Sequence, residues 1–137
     1  MAMSPMTPQN FRQRQEAEVV APIRRPYSTA VNNVTSASPE TLFTVPDGYY
    51  FEVVDFSVCN IEGATLAVTV SLVPDGGSAS ASNRVYDAYP VAANDSGTLT
   101  AVVGRLLEPG EFIVASVDGA TGGNFWLSGY MLEGTPR

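Results

Sequence analysis

"TLAVTVSLV", residues 65–73, puts Leu66, Val68, Val70 and Leu72 on one side of an extended chain and Thr65, Ala67, Thr69 and Ser71 on the other. Side chains of a strand point alternately to its two faces, so this spacing predicts a strand with one face buried and one in solvent. The same texture extends from Thr41 to the end of the chain. Segments rich in Val, Thr, Phe and Tyr are broken by Gly, Pro, Asn and Asp clusters at intervals of about 8 to 12 residues, the pattern of a sandwich or barrel. Strands are predicted at 41–45, 49–60, 65–73, 83–91, 97–103, 111–117 and 124–132, with one more at 28–34. About eight strands in about 100 residues suit a single antiparallel jelly-roll-like β-sandwich, an all-β fold.

Two other segments carry side-chain detail. In "YYFEVVDFSVCN", residues 49–60, Val54, Phe56 and Val58 share one phase, while Phe51 and Val53 sit in the other, so a bulge or a second buried face is expected. In "NFWLSGYML", residues 124–132, Phe125, Leu127 and Met131 alternate with Trp126, Ser128 and Tyr130. One set must be core, and the other is free for an intersubunit contact. Turns are expected at "VPDG" (45–48), where Pro46 presets φ for position i+1, and again at "VPDGG" (73–77), "EPGE" (108–111) and "DGATGGN" (118–124). "GGSASASN", residues 76–83, has no apolar anchor and reads as a surface loop.

The chain of 137 residues is acidic, with a formal net charge of −7, and the charge is uneven. Residues 1–38 carry Arg12, Arg14, Arg24 and Arg25 against Glu16 and Glu18, which leaves +2; residues 39–137 carry three arginines against twelve acids, which leaves −9. Such a body repels phosphate backbones, so no nucleic-acid partner is expected. No apolar run approaches the roughly 18 residues of a membrane span, and no membrane association is expected. The first 25 residues lack an apolar core and contain two glutamates, which argues against a secretory or organelle signal. Cys59 is the single cysteine and lies in the apolar run "FSVCN", so a buried structural thiol is expected.

Catalytic chemistry has little to work with. The chain contains no histidine and no lysine, which removes the Ser-His-Asp and Cys-His constellations, Schiff-base chemistry and a phosphate-binding lysine. One cysteine and carboxylates do not make a zinc site, and no DxDxDG calcium loop is present; "DGATGGN" offers Asp118, Asn124 and backbone carbonyls. Asp47, Asp75, Asp95, Glu108 and Asp118 fall at predicted turns, where acids bond the backbone or water. The expectation is a protein that is not an enzyme, with no catalytic residues, no cofactor, no metal and no small-molecule substrate. Trp126, Tyr86 and Tyr89 are the residues that could form a sugar-stacking platform.

The domain boundary is placed at residue 38, with an extended N-terminal arm over 1–38 and the sandwich over 39–137. Asn10 could cap a short helix over "FRQRQEAEVV", but about ten residues are marginal alone, and Pro5, Pro8, Pro22 and Pro26 bar a longer one. Extended at about 3.3 Å per residue, 27 residues reach roughly 90 Å, far beyond one domain. Phe11, Val19, Val20, Ile23 and Tyr27 are more apolar side chains than a solvating tail requires. The arm is therefore read as a partner-binding strap, these residues seated on a neighbouring subunit while Arg12, Arg14, Arg24 and Arg25 pair with its acids.

The succession "LFTVPDGYYFEVVDFSVCN", "TVSLVPDGGSASASNRVYDAYPVAAND", "LLEPGEFIVASV" and "FWLSGYML" resembles small jelly-roll or β-sandwich virion proteins of tailed bacteriophages, over residues 41–132. The resemblance implies a structural protein of the capsid cement or decoration type. It implies a homotrimer that is assembled in the host cytoplasm, binds the major capsid protein on the outer capsid surface, and stabilises the shell by bridging capsomers. Related sandwiches also imply an alternative, a tail or fibre component with a receptor- or sugar-binding role.

Overall fold

The computed structural model describes residues 24–34, 39–118 and 122–134. Among the described residues there are nine strands: β1 Arg24–Val34, β2 Glu40–Thr44, β3 Tyr49–Asn60, β4 Leu66–Val73, β5 Arg84–Val91, β6 Ser96–Thr98, β7 Leu106–Leu107, β8 Phe112–Asp118 and β9 Gly123–Glu133. One sheet has the order β1-β9-β3-β6, with β7 also on β3, and the other has the order β2-β8-β4-β5. Every pairing is antiparallel. With β6 and β7 taken as one interrupted strand, the pairs β1·β9, β2·β8, β3·β6/β7 and β4·β5 nest inside one another, as in a long hairpin wound on itself. That is an eight-stranded jelly roll, as the alternation in the sequence predicts.

The core lies between the sheets. β3 and β9 supply Phe51, Val53, Phe56, Val58, Phe125 and Leu127, and β4 and β8 supply Leu66, Val68, Val70, Ile113, Ala115 and Val117, all buried. Phe56 and Phe125 stack at 5.9 Å between ring centres. Each such side chain contributes about 1.5–3 kcal/mol on leaving water. Near the chain entry, Tyr27 of β1 meets Phe43 of β2 at 5.0 Å and Phe51 of β3 at 5.9 Å, an aromatic cluster that joins the two sheets. Tyr27 lies opposite Gly129, where a Cβ would run into the Glu52 carbonyl and the Phe51 ring, so glycine is what lets β9 approach β3 here.

The phase change in residues 49–60 is a bulge. The β3–β9 register shifts between Val53 and Asp55, so Phe51 and Val53 on one side of the shift and Phe56 and Val58 on the other all face the core. Val54, expected to share a face with Phe56, is turned out instead and is 49% exposed. Four turns among the described residues have glycine at position i+2 with positive φ: Gly48 (82°), Gly76 (79°), Gly104 (88°) and Gly110 (84°). In the first, Tyr49 N–H donates to the Pro46 carbonyl, so Pro46 occupies position i and Asp47 position i+1, one place earlier than expected.

Further expectations are corrected. β1 extends the strand read at 28–34 backwards by four residues, and all of it lies on the N-terminal side of the boundary drawn at residue 38. Residues 97–103 are not one strand, because Leu99 and Val102 are both fully buried and lie three apart, a spacing that a turn can bring to one side and a strand cannot. Leu72 is half-buried while Ser71 and Val73 are buried, a change of phase where β5 makes two register breaks against β4. Cys59 is only partly buried, since Phe56, Val58 and Asn60 take the inward positions of β3 and leave Ser57 and Cys59 outward.

Candidate partner-binding surface

The outward face of the first sheet is built from rows that the register fixes. Ala30, Trp126 and Ser57 lie side by side across β1, β9 and β3; Ser28, Ser128 and Asp55 form the next row, and Pro26, Tyr130 and Glu52 the third. Small residues in the middle row leave a shallow groove of about 370 Å³, walled by Pro26, Tyr130 and Val54. Trp126 is 55% exposed on the same face. Two large apolar side chains, Trp126 and Val54, thus stand half in water on a face that also carries Ala30 and Pro26. A surface of this kind favours burial against a partner.

A charged corner closes one end. Arg24 Nη2 lies 3.0 Å from Glu52 Oε1, and its guanidinium sits 5.3 Å from the centre of the Tyr130 ring. Arg25 Nη2 lies 3.6 Å from Glu133 Oε2. These side chains are about half exposed, so each pair contributes at most about 1 kcal/mol, and together they tie the start of β1 to Glu52 of β3 and Glu133 of β9. Arg24, Arg25 and Tyr27 were expected to reach a neighbouring subunit; here the arginines pair with acids of their own chain, and Tyr27 packs against their own core. Phe11, Arg12, Arg14, Val19, Val20 and Ile23 lie outside the described residues.

Other candidates separate in space. Tyr86 and Tyr89 pack at 5.0 Å on β5 of the second sheet, whereas Trp126 is on the first, so the three do not form one stacking platform. The Tyr86 hydroxyl accepts a hydrogen bond from Ala101 N–H at 2.8 Å. In "DGATGGN", residues 119–121 lie outside the described residues. Among the described residues, no group of three or more His, Cys, Asp or Glu side chains could hold a metal ion. A second groove, of about 520 Å³, brings Arg84 and Arg105 together with Asn83 and the exposed Leu106.

Sequence reasoning named Trp126 but missed Val54, whose outward turn depends on the bulge. It also missed Asn60, the fully buried polar side chain that holds the far end of the sandwich together. Asn60 Nδ2 faces the carbonyls of Ala64 (2.8 Å), Val91 (3.0 Å) and Ala92 (3.0 Å), and its Oδ1 accepts from Glu62 N–H at 2.8 Å. An amide has two hydrogens for these three acceptors, so one is shared. The signal was an Asn closing an apolar run, a position that favours local side-chain bonds to the backbone.

No protein-family model matches the chain, and no curated protein matches it. Solved structures do. A chain of the Bacillus endospore appendages, described as disulfide-linked pili, is 9% identical, with 83% of this chain and 91% of that chain covered and a TM-score of 0.50. A chain from the structure of infectious bursal disease virus, Gx strain, is 15% identical, with 79% of this chain and 32% of that one covered and a TM-score of 0.32. The first likeness agrees with the fold derived from the strand order.

Proposed function

We propose that this chain is a structural virion protein of the cement or decoration type, a trimer that binds the major capsid protein on the outer capsid surface and holds neighbouring capsomers together. The observation that carries the reading is the half-exposed Trp126 and Val54 on one sheet face, the outward face of the sheet to which β1 belongs. Such a face gains about 1.5–3 kcal/mol for each large apolar side chain it buries on a partner. The tethered segment adds a second attachment at high effective concentration. The mechanism is mechanical: contact area shared between capsomers opposes their separation, and no chemical step is involved. A structural role is also in keeping with the pilus likeness and with an amino-acid content that has no histidine or lysine. The sugar-binding alternative is weakened, because Trp126 is on the other sheet from Tyr86 and Tyr89.

The test is the heat stability of particles with and without this protein. Loss of the protein should lower the temperature at which shells open, and unchanged particles would overturn the reading. Imaging of the intact particle should place the chain on the shell in threes; density on the tail would favour the fibre alternative.

A further inference from the structure

Two sheets have four edges, and three of these are guarded. β2 has five residues, follows Pro39 and breaks register between Thr41 and Phe43. β5 breaks register twice against β4, holds Ala88 at φ 55°, and carries Arg84, Asp87 and Pro90. On the fourth-strand side of the first sheet, β6 and β7 have three and two residues and are parted by a turn. Short, bulged, charged or proline-bearing edges are how sheets avoid pairing with another chain. β1 differs. It is 11 residues long and keeps one register with β9 from Arg24 to Val31, shifting only between Val31 and Val34; its charges and proline, Arg24, Arg25 and Pro26, are gathered at its start, and among the described residues no strand lies on its other side.

We propose that the open edge of β1 receives an added strand, residues Phe11–Ala21 of a second copy; this rests on the strap reading above and specifies where the strap docks. The run from Gln9 to Ala21 lies between Pro8 and Pro22 and contains neither Pro nor Gly, and Phe11–Ala21 matches β1 in length. Extended, it alternates. Arg12, Arg14, Glu16, Glu18 and Val20 fall on one face, and Phe11, Gln13, Gln15, Ala17, Val19 and Ala21 on the other. Charge sets the direction: an antiparallel strand brings Glu16 and Glu18 towards Arg24 and Arg25, whereas a parallel one would bring Arg12 and Arg14 there.

The copy that supplies the strand follows from Pro22. If a chain folded Phe11–Ala21 back on its own β1, only Pro22 and Ile23 would separate Ala21 from Arg24, the first residue of β1. Two-residue hairpin loops need positive φ at their first position, which proline cannot adopt. A longer loop would withdraw Val19 and Val20 from the strand. Donation to a neighbour carries no such constraint. Each copy then gives one strand and receives one, a head-to-tail contact that closes as a ring or runs on as a filament.

The test uses the full chain. Amide hydrogen exchange in β1 is followed by NMR over a range of protein concentrations, alongside sedimentation. The double substitution Ala17→Pro with Val19→Pro, both N-terminal to β1, serves as the control. The expected result is that alternate β1 amides, those facing away from β9, exchange at least about tenfold more slowly in the oligomer. Their protection should fall on dilution and vanish in the double variant, with core amides unchanged. Protection that persists on dilution but is lost in the variant would mean that a chain covers its own edge, and would overturn donation between copies. β1 amides that exchange freely in the oligomer would overturn the added strand, whatever the particles do. Particles whose heat stability ignores the protein would overturn the cement reading, and concentration-dependent β1 protection would still uphold the strand.

Discussion

Adjacent positions of β9 have opposite surroundings. Phe125 and Leu127 are 1% and 2% exposed, while Trp126 between them is 55% exposed. The same division runs through β3, where Phe56 and Val58 are sealed and Val54 is not. The inward set meets the opposite sheet and accounts for the fold. The outward set contributes little to folding, because a side chain half in water has gained little of its transfer energy. Scattered apolar surface residues are ordinary; a tryptophan and a valine on one sheet face beside a groove need a different account. One face is therefore read as stability and the other as contact.

That division can be broken most sharply from the inside. Phe125→Ala should cost about 3–5 kcal/mol in urea unfolding, since it removes a ring stacked on Phe56 and leaves a cavity between the sheets. Asn60→Ala should cost about 1–3 kcal/mol, because the carbonyls of Ala64, Val91 and Ala92 lose their donor. Amides of 61–65 and 91–95 should then exchange faster than those of β9. Gly129→Ala should cost a similar amount, about 1–3 kcal/mol, since its methyl meets the Glu52 carbonyl and β9 must move off β3. If any of the three unfolded no more easily than the parent chain, the inward face would not be the seat of stability.

How much of this could be read from the sequence depended on how local the signal was. Residues 49–60 became β3 with the bounds expected, and the conflict of phase between Val53 and Phe56, which a bulge or a second buried face would explain, is a bulge. Local alternation carries such information. β1 was read short at its start because "RRP" is polar and proline-bearing; its place in the sheet depends on Tyr27 meeting Phe43 and Phe51, contacts between distant segments. The interrupted strand β6/β7 depends likewise on Leu99 reaching β3, where its N–H donates to the Phe56 carbonyl at 2.7 Å. Val54 joined the candidate surface only through the bulge. Trp126 could be named in advance, but alternation alone does not say which face of a strand turns inward.

The charged corner sharpens the contrast at smaller scale. Arg24→Ala removes an ion pair whose arginine side chain is 60% exposed, together with a contact over the Tyr130 ring, and should cost no more than about 1 kcal/mol in urea unfolding. The smallest folding effect belongs to Trp126. Trp126→Ser should shift the unfolding midpoint by less than about 0.5 kcal/mol, because the indole has few neighbours to lose and the strand keeps its ladder to β1 and β3. The same substitution should weaken particle binding at least tenfold, a loss of about 1.4 kcal/mol, since an indole at a contact buries a large area that serine does not replace. A variant that folds like the parent and binds poorly would separate the two faces of β9 by function. One that unfolds easily would return Trp126 to the fold and remove the reason for assigning this face to a partner.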